Sequence, residues 1–547
     1  MLSKSFFIIL LLNLFLSVSS SAQLQKEPRI VVGIVIDQMR YDCLYRYGRH
    51  MGENGFKRLI SSGTNCTNAH YEYLVTESAP GFATIYTGAN PCSHGIIANS
   101  WYQRLERKVQ TAVGDKNYTA IGGSSSTGAS SPLQLRGTTL GDEMKLATFK
   151  RSKVISVSLN HRSAILSAGR LADGVYWLDD STGNFITNSY YTGVLPQWVN
   201  DFNNKHLCDE YIYKGWYTIK SIKQYIESLP DNSVYEIGVG GQTTFPYNLD
   251  KLKQNMGYAV MRYTPHGNSL TTEFALQAIE SENLGGDEFP DLLLINYAVP
   301  GYVSDAYGIR SIELEDVYLR WDTEIAKVLE KLDKYIGHDD YVVFLTADRG
   351  SSDCPTFLNE IGIPGNQINC NSNVAVLNSY LSALYGQAKW IDRYHRRNIY
   401  LNQTVIESKK LKLSEVQNMA AQLMMEFSGI DNAMPASSFL TSNYTSGIWQ
   451  QAQNSFCSDK SGDIVLNFAP GWQEVTETSQ DYSVSAQNSP YNHDTHVPLV
   501  FFGKNIRRKT VNRRISITDI TPTLATLLSI CAPDYCSGKT INEVMEY

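Results

Sequence analysis

The sequence predicts an α/β fold on a doubly wound, mostly parallel sheet, and three observations carry that prediction. Four short apolar runs lack the alternation of a half-buried strand: Arg29 to Ile36, Asp291 to Tyr297, Tyr341 to Thr346 and Val497 to Gly503. Such runs suit strands covered on both faces. Between the second and third, Leu314, Val317, Trp321, Ile325, Val328, Leu332 and Tyr335 recur at steps of three and four, with Gly337 as a stop. Strand, helix and strand make a right-handed crossover unit. Finally, the first and third runs lead into Asp37 and Asp348. In such sheets the chemistry lies beyond the carboxyl ends of the strands. A capping or turn role is the plain alternative for either aspartate.

Composition agrees. The chain has 547 residues, 43% hydrophobic and 18% charged, enough to bury a large core. The net charge is −7 and there is no Lys/Arg block, which sets nucleic acid aside as a partner. Residues 170–290 and 355–480 are rich in polar and aromatic residues and poor in apolar runs, so both are expected as insertions or caps over the core. The 34 tyrosines suit a polar groove.

Residues 1–22 read as a secretory signal. Lys4 gives the positive start, Phe6 to Val18 the apolar stretch, and Ser20-Ser21-Ala22 the small residues before cleavage. The chain from 23 to 547 would then be a periplasmic or secreted protein without stable membrane insertion. Nine cysteines follow, an odd number. Cys531–Cys536 and Cys354–Cys370 are the plausible local pairs in an oxidising compartment.

Four segments narrow the reading. They are Val35 to Asp42; Ala79 to Gly88 leading to His94 to Tyr102; Thr346 to Gly350; and Ser489 to Pro498. Their order and spacing resemble the alkaline phosphatase superfamily, and within it the secreted, phosphate-irrepressible (PafA-type) bacterial enzymes. That resemblance spans nearly the whole mature chain. It implies a sheet of the alkaline phosphatase type, two zinc ions, a Thr or Ser nucleophile, and an Asn, a Lys and an Arg on the phosphoryl oxygens of a phosphate ester. Paired divalent ions activate the nucleophile and stabilise the leaving oxygen, while cationic donors balance charge on the transferred group.

Carried over by position, the resemblance implies Asp37 as a metal ligand and Ser78 as the nucleophile, with Thr76 as a fallback. Asn99 and Arg162 match the phosphate clamp, but Asn160 stands where the family has Lys. Gly301 stands at a ligand Asp position and Asp305 at a ligand His position. Asp348 is in place, Arg349 replaces a ligand His, and His496 matches the late His. Glu72, Glu77 and Asp353 are possible replacement ligands. His94, His161, Asp42 and Asp494 suit structural roles.

A guanidinium cannot ligate a cation, so Arg349 is expected to fill the ion's place and pair with Asp37 and Asp348. The leading expectation is therefore a secreted phosphatase-like protein with a degraded zinc site, inactive or impaired, that still binds an anion. One alternative is an active phosphoester hydrolase using Ser78 and a single hard divalent cation held by oxygen donors. Another is a binding module working through the Tyr-rich insertions.

Overall fold

The computed structural model describes residues 26–475, 484–485 and 488–546; the expected signal at 1–22 lies outside them. Eleven strands form the main sheet: β1 (Ile30–Ile36), β2 (Thr64–His70), β3 (Ala120–Ile121), β4 (Val154–Ser158), β5 (Gly174–Leu178), β6 (Phe185–Asn188), β7 (Asp291–Tyr297), β8 (Tyr341–Ala347), β9 (His496–Gly503), β10 (Lys509–Val511) and β11 (Ile515–Ser516). Their order is β10-β2-β9-β8-β1-β7-β4-β5-β6-β3, with β11 also on β2.

β1 is Ile and Val except for one glycine, and every residue in it is buried. β-Branched side chains pack well on a pleated surface covered on both sides. β1 runs parallel to β8 and β7, and β4 runs parallel to β7 and β5. The predicted run at Val497 to Gly503 departs from that pattern, because β9 is antiparallel to both β8 and β2. Unbroken hydrophobicity reports burial of both faces and carries no direction.

Five helices matter for the site: α1 (Ser78–Thr87), α2 (His161–Ala168), α3 (Pro265–Ser281), α4 (Val299–Tyr307) and α5 (Ile312–Tyr335). α5 is the crossover between β7 and β8. Ser311 caps it by accepting the Leu314 amide, and its stripe from Leu314 to Leu332 is buried, while Tyr335 in the last turn is largely exposed. The stretch 170–290, expected as an insertion, instead supplies β5 and β6 to the sheet and α3 to its cover. Tyr176 and Trp177 are fully buried in β5. Aromatic residues with polar tips hide a core strand from a count of aliphatic runs.

Residues 366–474 build a second, smaller lobe. Its four-stranded antiparallel sheet runs Ile391–His395, Asn398–Leu401, Ile464–Phe468 and Ile430–Pro435 in spatial order. It has its own apolar core around Trp390, Leu377, Ile399, Val416 and Leu466. All nine cysteines are free thiols, including both expected local pairs. Cys531 is exposed, whereas Cys536 turns its sulfur onto Gly88, and Cys370 is buried in the core of the small lobe.

α1 lies against the end of β8. At Gly81 a Cβ would stand 2.2 Å from the Asp348 carbonyl oxygen, so only glycine permits this approach. Gly81→Ala is expected to lower stability by about 1–3 kcal/mol through forced backbone movement. Urea denaturation, with a reduced midpoint at unchanged slope, measures it.

Candidate functional site

The parallel register assembles the site. Ile36 at the end of β1 lies opposite Ala347 on one side and Tyr297 on the other. Asp37, Ala298 and Asp348 therefore leave adjacent strands at one level, with strands about 4.8 Å apart. α4 follows at once, carrying Gly301 and Asp305. β4 ends at Ser158 and brings Asn160 and Arg162 to the same edge.

Arg349 is the centre of this edge. Its Nη1 lies 2.7 Å from Asp37 Oδ1 and 2.6 Å from Asp348 Oδ2. All three side chains are buried. Asp348 also accepts the Gln38 amide at 3.0 Å through Oδ1. Burial opposes charge on Arg349, yet Asp348, Asp37 and Asp305 hold it protonated. Burial pushes the Asp37 carboxyl well above its ordinary range, partly offset by Arg349 and reinforced by Asp348 and Asp305. Gly301 faces the same carboxylate: a Cβ there would stand 2.6 Å from Asp37 Cγ.

Asp305 is held differently. It accepts Gln38 Nε2 at 2.9 Å and the Ser485 hydroxyl at 3.0 Å, both through Oδ1. His496 is not brought to it. At the start of β9, its ring stacks between Tyr41 and His70, with centroids at 4.3 and 4.5 Å, and its Nε2 meets the Thr67 carbonyl at 2.9 Å. Burial lowers its pKa, against the hydrogen bond to Thr67. Register within β9 decides this placement, and sequence spacing does not reveal it.

The anion-clamp positions are close by. The Arg162 Nε is buried with no hydrogen-bond partner, and its side chain makes no ion pair among the described residues. Burial lowers its pKa, against the pull of Tyr302 and Asp37. Asn160 serves as the N-cap of α2, accepting the Arg162 amide at 3.0 Å and donating to the Tyr302 hydroxyl at 3.2 Å. Asn99 Oδ1 accepts the Ala79 amide at 2.9 Å in the first turn of α1, which leaves its Nδ2 to face the cleft. Ser78 begins α1, and its hydroxyl is buried without a partner. Thr76 donates to the Ser489 carbonyl instead.

Of the three possible replacement ligands, Asp353 pairs with Arg310 at 2.6 Å and Glu72 lies near Arg514 at 3.6 Å. Glu77 accepts the Asn99 amide at 2.5 Å and pairs with Arg396 at 2.6 Å. Burial pushes the Glu77 carboxyl up, but Arg396 and the Asn99 amide outweigh it and hold it low. Among the described residues no group of three or more His, Cys, Asp or Glu is arranged to hold a metal ion. His94 is buried against Thr84, His161 is neutral with its pKa pushed down to about 3 by burial, Asp42 pairs with Arg40 and Arg46, and Asp494 accepts from Ser489.

Asp37, Asn99, Asn160, Arg162, Asp305 and Arg349 line one cleft of about 1410 Å³ between the sheet edge and the small lobe. Among the lobe residues that line it is the hairpin turn Arg396-Arg397, which sequence reasoning missed. Both residues have positive φ, 45° and 62°, between the paired His395 and Asn398. A two-residue turn of this kind favours Asn-Gly, and each left-handed non-glycine residue costs roughly 1–2 kcal/mol. The sequence signal was Arg-Arg between two short β-patterns.

The match to the type I phosphodiesterase / nucleotide pyrophosphatase family covers residues 31–497. The chain is 36% identical to the alkaline phosphatase PafA of Elizabethkingia meningoseptica over 95% of each chain. It is 35% identical to a Myroides odoratus protein named as a calcium-transporting ATPase, over 97% of each. The crystal structure of wild-type alkaline phosphatase PafA superposes with a TM-score of 0.89 at 35% identity, covering 95% of this chain and 99% of that one.

Arg349→Gln is expected to destabilise the protein by about 3–5 kcal/mol, because it leaves two buried carboxylates unpaired; chemical denaturation reads this directly. Glu77→Gln tests the other pair by pH. A carboxyl held low in the folded state adds stability above about pH 4.3, lost as pH falls. The advantage of wild type over Glu77→Gln should be largest near neutral pH and shrink below about pH 4, read from melting temperatures across pH.

Proposed function

This chain belongs to the type I phosphodiesterase / nucleotide pyrophosphatase family, and we propose that it is an alkaline-phosphatase-like protein that binds a phosphoryl anion while hydrolysing phosphomonoesters poorly or not at all. One observation carries this reading: a guanidinium nitrogen lies at hydrogen-bond distance from both Asp37 and Asp348. The relatives imply two zinc ions, and the residues present do not suit them. Catalytic zinc takes three protein ligands and keeps an open position. Here Asp37 and Asp348 share a fixed cation, Gly301 offers no donor, and Asp305 already accepts Gln38 and Ser485. Arg162, whose Nε is buried without a hydrogen-bond partner, and the amide of Asn99 are the groups that would hold a phosphate. The leader read at residues 1–22 supports export, and among the described residues no helix is long and apolar enough to cross a membrane.

A second reading rests on Ser78, whose buried hydroxyl has no partner. In it Ser78 is the nucleophile of a phosphoester hydrolase with altered cation use.

The test is metal content by elemental mass spectrometry after incubation with excess zinc and desalting, together with thermal shift in inorganic phosphate. Well under one zinc per chain is expected. Phosphate should raise the melting temperature, since a ligand of the folded state stabilises it, and Arg162→Gln should abolish the rise. About two zinc per chain with chelator-sensitive turnover of p-nitrophenyl phosphate sinks the proposal. Turnover that survives zinc removal and disappears in Ser78→Ala selects the second reading.

A further inference from the structure

Arg397 is a buried cation that forms no ion pair among the described residues. The residue is 6% exposed and lines the cleft, and its Nη1 is buried with no hydrogen-bond partner. Its guanidinium carbon lies 4.4 Å from the Phe468 ring centroid. That stacking holds the guanidinium in place and leaves at least Nη1 without a hydrogen-bond acceptor. Glu474 is a nearby carboxylate that feels its charge, but Glu474 accepts the Tyr394 hydroxyl at 2.5 Å and forms no ion pair with Arg397. A structural arginine so deeply buried would ordinarily be paired.

The backbone adds an independent observation. The turn places arginine at two positions that favour glycine or asparagine, and the fold holds it there. The Arg397 amide donates to Tyr394 Oη at 3.2 Å, the Arg396 carbonyl accepts Asn398 Nδ2 at 2.8 Å, and Arg396 reaches Glu77 and Ser100 on the core side. Strain kept against sequence preference is a mark of functional sites. The turn is thereby tied to the residue preceding Ser78, so Arg397 is fixed relative to the sheet edge.

We infer that Arg397 is a second anion anchor, and that the cleft takes a small molecule bearing two anionic groups, one held at Arg162 and the other at Arg397. This rests on the anion-binding reading above and gives it a ligand class. A single phosphate fills little of a cleft of about 1410 Å³, and the two arginines, each with one buried nitrogen lacking a partner, come from different parts of its lining, the sheet edge and the small lobe. On the lobe side Lys389, Arg393 and Arg396 also line the cleft, against the carboxylates Asp392 and Glu474.

Isothermal titration of the full mature chain with fructose 1,6-bisphosphate and fructose 6-phosphate tests this on one scaffold. The bisphosphate is expected to bind at least about tenfold tighter, a typical gain for one further charge-assisted contact. Arg397→Gln should remove that preference. Arg397→Gly should do the same, and it accommodates the positive φ, which guards against a variant that fails to fold. Equal affinities in the wild type, or a preference that survives both folded variants, overturn the second anchor while leaving the first intact. Binding of neither compound overturns the anion-binding reading itself, and the second anchor with it.

Discussion

One guanidinium between two buried carboxylates is the interaction on which the rest of this edge depends. Asp37 and Asp348 are brought side by side by the in-register pairing of β1 with β8. Two such largely buried charges side by side cannot both persist without a cation or a proton. Arg349 supplies the cation from the residue next to one of them, so the backbone fixes the geometry before any ligand arrives. Gln38, in the left-handed region at φ 59°, then ties Asp348 to Asp305 through its backbone and side-chain amides.

The surrounding architecture follows from that strand edge. Gly81 lets α1 close on the Asp348 carbonyl, which places Ser78 and Asn99. The caps of α2 and α5 set Arg162 and the crossover. The small lobe folds around its own core and touches the site through the hairpin turn at Arg396-Arg397, with Glu77 as the strut between the two parts. Binding groups thus come from the sheet edge and from the small lobe, which face one cleft and share packing through Met434, Phe439 and Val465.

Much of this was readable from residues. Continuous Ile/Val runs ending in aspartate announced parallel strands and the level of the site, and an arginine at a ligand position announced the ion pair. What stayed hidden has physical causes. The antiparallel course of β9 leaves no trace in a run buried on both faces. Tyr176 and Trp177 disguised a core strand. His496 matches by spacing, yet its place in β9 directs its ring to Tyr41 and His70. Arg397 gave no sign of its role, because its burial and positive φ exist only once His395 pairs with Asn398.

Gly301 and Arg349 are coupled through the Asp37 carboxylate. With Asp37 drawn to Arg349, even a methyl group at 301 would lie 2.6 Å from the Asp37 carboxyl carbon. An acidic residue there means collision and like-charge repulsion with Asp37, and an imidazole at 349 means two carboxylates stripped of their partner. Either change alone therefore costs stability, and their effects are not additive.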